Sequence, residues 1–172
     1  MDENEITTTL EMIQLVIDDG RYDIAMSDLN QLIESDLSVL ERGFVWAMKS
    51  ICRERQDNDI EPDIEKLLAE NSDPDYLAAI GIKFSNSEFL EYAELFFQKC
   101  VKLKPNNYMN HYNLGLVYQR SEQYENAIEK YAKAIQLNPK FAPCHQNMGD
   151  TLVALDRLKE AVSSYQEYLL ID

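Results

Sequence analysis

Two histidines and three cysteines have the widest chemical reach in this 172-residue chain. His111 and His145 stand 34 residues apart, and Cys144 adjoins the second. Such a set suggests metal ligation or proton transfer. A structural zinc site takes about four ligands, and a pair is too few. Both histidines therefore read as packing residues. Cys52, Cys100 and Cys144 are odd in number and lack the short spacing of a disulfide framework or zinc ribbon. A reduced, cytoplasmic compartment is the expectation. Cys52 and Cys100 read as buried, inert thiols on helix faces. The carboxylates lie in charged runs such as Asp57–Asp63, read as a solvated loop. The sequence has no glycine-rich phosphate loop, no GxSxG elbow and no HExxH. No catalytic residue, cofactor or metal is expected, and the chain does not read as an enzyme in its own right.

The elements that carry these residues are helices. Five Gly and five Pro are few for the length, which disfavours a turn-rich β fold. No run approaches the ~20 apolar residues of a membrane span. The acidic start, MDENEITTTLEM, lacks the basic and apolar regions of a secretory signal. The net charge is −15. Residues 1–73 hold 19 acidic and 6 basic side chains, against 12 and 10 in residues 74–172. The first region would repel nucleic acid and anionic lipid, so neither is an expected partner. A basic protein partner there and simple solubility both fit the charge.

One pattern recurs in a single frame. Leu114-Gly115 is followed by Tyr118, Tyr124, Ala127, Tyr131, Ala134 and Pro139. Thirty-four residues later come Met148-Gly149, Leu152, Leu158, Ala161, Tyr165 and Tyr168. Thirty-four earlier come Ile80-Gly81, Phe84, Leu90, Ala93, Phe97, Cys100 and Pro105. Glycine and alanine suit points where two antiparallel helices approach closely, and the large residues fill the space beside them. Spacings of three, four and seven keep the set on one face of each helix. Pro105 and Pro139 end the second helix of their pairs.

This period and pattern resemble the tetratricopeptide repeat family. The resemblance implies an all-α, right-handed superhelix of stacked antiparallel helix pairs, with repeats at 74–107, 108–141 and 142–172. Upstream, residues 1–73 form an acidic helical region with one or two eroded pairs. Gly20-Arg21-Tyr22-Asp23-Ile24-Ala25 matches the turn and second helix of a repeat at 6–39, whose first helix lacks the small residue. Residues 40–73 keep the length but lose the motif. They predict a long helix around Ser38–Arg55 and a short one near Glu61–Glu70.

In the family the first helix of each pair lines a concave face that binds a peptide segment of a partner. The resemblance places Met109, Tyr112, Asn113, Leu116 and Arg120 there from one repeat. It places Gln146, Asn147 and Asp150 there from the next, and Ala78, Ala79, Ile82, Ser85 and Asn86 from the one before. Asn113 and Asn147 share one inward position, similar to the asparagine ladder of the O-GlcNAc transferase superhelix. Either they grip a peptide backbone through paired donors and acceptors, or asparagine simply occurs there as packing. Tyr112, Leu116 and Met109 add an apolar strip.

Two lysines, two asparagines and an arginine form the clamp with which some relatives hold the acidic tails of heat-shock chaperones. Here Ala78, Ile82, Pro143 and Asn147 occupy four clamp positions with other side chains, and Asn113 alone matches. Chaperone tails are therefore not expected partners. The leading function is a protein-interaction scaffold. One alternative is a substrate-recruiting or regulatory region of a larger glycosyltransferase or methyltransferase. Another is a class II chaperone of type III secretion. The last helix, ending Tyr168-Leu169-Leu170-Ile171-Asp172, is expected to lack cover. That suggests a fragment, a second copy, or a partner.

Overall fold

Four tight turns carry the repeat frame into three dimensions. Gly20, Glu88, Glu122 and Asp156 all have φ in the left-handed region, at 76°, 69°, 60° and 59°. The last three are spaced by 34 residues, and Gly20 lies two periods before Glu88. At three of the turns the backbone closes in the same way, the amides of Arg21 and Gly20 donating to Val16 and Ile17 at 3.1 and 2.9 Å at the first. The amide of Gln123 donates to the carbonyl of Tyr118 at 2.8 Å, and that of Glu122 to Gln119 at 3.1 Å. Arg157 and Asp156 repeat the pair onto Leu152 and Val153, both at 2.9 Å. These bonds satisfy carbonyls left over at the helix end, and they require the left-handed residue.

The computed structural model describes residues 3–56 and 58–171. Its described residues form an all-α, helical-repeat fold in two compact units, Met1–Glu88 and Phe89–Asp172. The boundary falls between the two helices of the expected 74–107 repeat.

The first unit holds α1 (Glu3–Asp18), α2 (Tyr22–Leu32), α3 (Val39–Glu54), α4 (Glu61–Glu70) and α5 (Pro74–Asn86). Ile6, Ile13 and Ile17 bury one stripe of α1, and Ala25, Leu29 and Leu32 bury one stripe of α2. The long helix α3 starts at a capping box. The Glu41 amide donates to Ser38 Oγ at 3.3 Å, and the Ser38 amide to Glu41 Oε2 at 2.7 Å. α3 then runs to Glu54, the place where the repeat frame puts a left-handed turn. In the same frame the other first helices end two residues earlier, and α4 starts only at Glu61. α3 packs on α5 through Gly43, whose absent Cβ would stand 2.9 Å from both Ala79 Cβ and the Tyr76 carbonyl. The Asp57–Asp63 run is not all loop. Asp63 lies in the first turn of α4 and pairs with Arg53, and Asp57 lies outside the described residues.

The second unit holds α6 (Leu90–Leu103), α7 (Tyr108–Arg120), α8 (Tyr124–Leu137), α9 (Ala142–Ala154) and α10 (Leu158–Ile171). α7 pairs with α8 and α9 with α10, while α6 covers α7 and α8 packs on α9. The glycines set the closeness. A Cβ on Gly115 would stand 2.6 Å from the Tyr131 ring, and one on Gly149 2.5 Å from the Tyr165 ring. Tyr131 is fully buried. α10 leaves Leu158, Val162, Leu169 and Leu170 exposed.

Candidate protein-interaction face

The first helices carry the residues of interest, and short polar caps fix the starts of α5 and α7, while α9 starts at Phe141 with no side-chain cap. Asn107 accepts the Met109 amide at 2.9 Å at the head of α7. His111, one turn in, is buried and lies 2.8 Å from the Pro105 carbonyl through Nε2. His145 does the same to Pro139 at 2.9 Å. A carbonyl can only accept, so Nε2 carries the proton in both. The paired histidines thus tie each first helix to the linker before it, which accounts for their 34-residue spacing. Among the described residues no group of His, Cys, Asp and Glu could hold a metal ion. The three thiols are buried and unpaired with one another. Burial pushes Cys52 up to about 11 and Cys144 up to about 12, so both stay protonated at neutral pH.

On α7, Met109, Tyr112, Asn113 and Leu116 are half-buried and Arg120 is exposed. On α9, Asn147 is half-buried while Gln146 and Asp150 are exposed. Two of these residues are joined: Asn147 Nδ2 donates to the Tyr112 hydroxyl at 2.9 Å. Tyr112 is also packed edge-on to Phe141, with centroids 4.9 Å apart, and lies 6.1 Å from Tyr131. It is therefore a wall of the face and not a loose anchor. The bond fixes the Asn147 amide in orientation and leaves it a second N–H and its carbonyl. Asp150 accepts the Tyr165 hydroxyl at 2.6 Å, a bond that together with burial pushes Tyr165 up to about 12. Tyr131 donates to Gln119 Oε1 at 2.6 Å. Burial raises Tyr112 as well, against the hydrogen bond from Asn147.

The first unit has a groove that the residue pattern did not assign. A cavity of about 480 Å³ opens between α1, α3 and α5, lined by Leu10, Leu15, Phe44, Met48 and Ile82. Ile82 and Asn86 were expected on the inward face and do line it, whereas Ala79 is fully buried and Ser85 buried. Phe44 and Met48 are one turn apart on a helix without the motif, and that spacing was the only available signal. Lys83 borders the cavity half-buried. Burial lowers its pKa, and the Asp18 carboxylate opposes this.

Residues 111–141 and 142–172 each match the tetratricopeptide repeat family. Over those residues the chain carries two tetratricopeptide repeats. The solved structures similar to it include MamA, 19% identical, covering 92% of this chain and 93% of that chain with a TM-score of 0.64. Another is the second tetratricopeptide domain of Spaghetti (RPAP3) bound to the HSP90 peptide SRMEEVD, also 19% identical. It covers 62% of this chain and 99% of that chain at a TM-score of 0.57. The Arabidopsis OM64 tetratricopeptide domain is 18% identical, covering 58% and 82% at a TM-score of 0.56. At these identities the likeness shows the fold. No curated protein sequence matches the chain. No described helix is long and apolar enough to cross a membrane.

Proposed function

We propose that this protein is a protein-interaction scaffold that holds a partner's peptide segment against the first-helix face of α7 and α9. The observation that carries the reading is the oriented Asn147–Tyr112 pair beside half-buried Asn113, Leu116 and Met109. Pre-set amides offer donors and acceptors to a peptide backbone, and the apolar residues offer anchors. Arg120, Gln146 and Asp150 form the polar rim. Two structures of RPAP3 domains hold an HSP90 peptide, so the fold can carry a peptide. The side chains at Ala78, Ile82, Pro143 and Asn147 lack the lysines and arginine of a chaperone-tail clamp, and the segment bound here is of another kind. The groove of the first unit, with Phe44, Met48 and Ile82, is a second face of the same type.

We read the chain as non-catalytic, with repeats at 74–107, 108–141 and 142–172 and an acidic region before them. Its thiols are buried and form no disulfide with one another, which suits a reducing, cytoplasmic compartment. The exposed stripe of α10 is covered in the working assembly by a second copy or a further domain. Nothing in the family matches favours an enzyme's recruiting region or a secretion chaperone over this reading.

The test is the affinity of an isolated partner segment, measured by calorimetry. Asn113→Ala and Leu116→Asp should each weaken it about tenfold or more while leaving the melting temperature nearly unchanged. Asn147→Ala should also lower stability by about 1 kcal/mol, because it removes the bond to Tyr112. Unchanged affinity in the Asn113→Ala, Leu116→Asp double variant would contradict the reading.

A further inference from the structure

In the second unit, α6 packs on α7, where His111, Leu114 and Tyr118 are buried, at 6%, 2% and 7% exposure. Polar contacts mark the cover. Gln98 of α6 donates to the Tyr118 hydroxyl at 3.3 Å, and Asn110 donates to the Cys100 carbonyl at 3.1 Å. Three repeat lengths earlier, the same positions on α1 are Thr9, Met12 and Val16. They are not covered. Met12 is 62% exposed, and Thr9 and Val16 are half-exposed.

These three side chains form one wall of a groove of about 600 Å³ between α1 and α2. Ile13 and Leu32 supply an apolar floor, and Asp28 and Glu34 stand on the α2 side. No cation lines it. Residues 1–37 contain ten carboxylates and one basic side chain, Arg21, which is paired with Asp19 at 2.8 Å. The acidity belongs to this helix pair and not to the repeat. α8 carries Lys130, Lys133 and Gln136 at the positions of Asp28, Gln31 and Glu34.

We propose that the α1–α2 groove is a docking site for a basic amphipathic helix of a partner protein, which lies over α1 as α6 lies over α7. The internal precedent says that a helix fits this face. Charge complementarity says which kind. A leucine-type stripe replaces water over Met12, Ile13 and Val16, and lysines or arginines reach Asp28 and Glu34. A second copy does not suit the site, because no helix of this chain carries more than one net positive charge. The site is separate from the first-helix face proposed above, and its failure would leave that face standing.

The probe is a synthetic amphipathic peptide of about four helical turns, leucine on one face and lysine on the other. It is titrated into the full chain at low and high salt. Binding should weaken with salt. Met12→Asp should weaken it about tenfold or more, and so should Asp28→Lys with Glu34→Lys. Glu65→Lys with Glu70→Lys makes the same charge change on α4 and should leave affinity within about twofold. Circular dichroism checks that each variant is folded. A peptide of the same composition in scrambled order, or one with glutamate for lysine, should not bind. Equal binding by the scrambled peptide, equal affinity in all variants, or no binding to the unsubstituted chain would overturn the proposal. So would self-association in light scattering that Met12→Asp abolishes.

Discussion

At the scale of the residue, the turns are the most informative positions. Glu122 holds a left-handed φ of 60° that costs a side-chain-bearing residue about 1 kcal/mol relative to glycine. Gly20 holds the same conformation in the same frame, and an added Cβ there would meet nothing within 4 Å. Glu122→Gly should therefore raise stability by up to about 1 kcal/mol, partly offset by the added freedom of the unfolded chain. Gly20→Ala should lower it by a similar amount. Chemical denaturation of the two variants checks both signs. Gly20 could be read from the sequence as a turn, because glycine advertises the conformation. Glu88 and Glu122 could not, since glutamate carries no such preference; Asp156 tolerates the conformation better, but it is the repeat frame that points to all three. The histidines were legible as packing residues, but their bonds to Pro105 and Pro139 depend on a linker geometry that residue types do not encode.

At the scale of the element, the recurring unit is a small residue against a ring. Gly115→Ala would drive a methyl group into Tyr131 and should destabilise by about 1–3 kcal/mol. Adding Tyr131→Leu should cost less than the two single changes combined, because the two side chains share one space. The chain already contains this exchange. Ile13 and Leu29 occupy the corresponding positions of α1 and α2, and both are buried. Thermal melts of the single and double variants measure the coupling. The helices themselves were well marked: the 61–70 helix and the Ser38 start of α3 follow from proline placement and a capping pair. The α3–α5 contact at Gly43 was not marked, because a lone glycine inside a helix does not say which neighbour approaches it. That contact belongs to the arrangement that frames the Phe44–Met48–Ile82 groove, so the groove was hidden with it.

At the scale of the whole molecule, ionisation sets a limit on stability. Burial raises Tyr112, Tyr118 and Tyr131 above the ordinary 10.0, and Tyr165 reaches about 12 chiefly through its bond to Asp150. All four lie in the second unit. A raised tyrosine pKa favours the folded state fully below the unfolded value. That contribution is lost as pH rises through the folded value. Burial of the Cys144 thiol acts in the same direction from its ordinary 9.0, so stability of the repeats should hold up to about pH 9 and fall steadily from there through about pH 12. Melting temperatures across that window check it, and a flat profile would show that these hydroxyls are not held as described. The charge asymmetry was legible in full, since it needs only counting. What sits against each face was not, because one repeat fold accepts many ligands and the choice lies in a few side chains.

The central claim is that the first-helix face of α7 and α9 receives a partner segment. Its most direct test is an NMR titration of the full chain with that segment, following backbone amide shifts. The account predicts the largest changes at Met109, Asn113, Leu116, Gln146 and Asp150. Changes confined to the opposite side of α8, around Lys130 and Lys133, would contradict it.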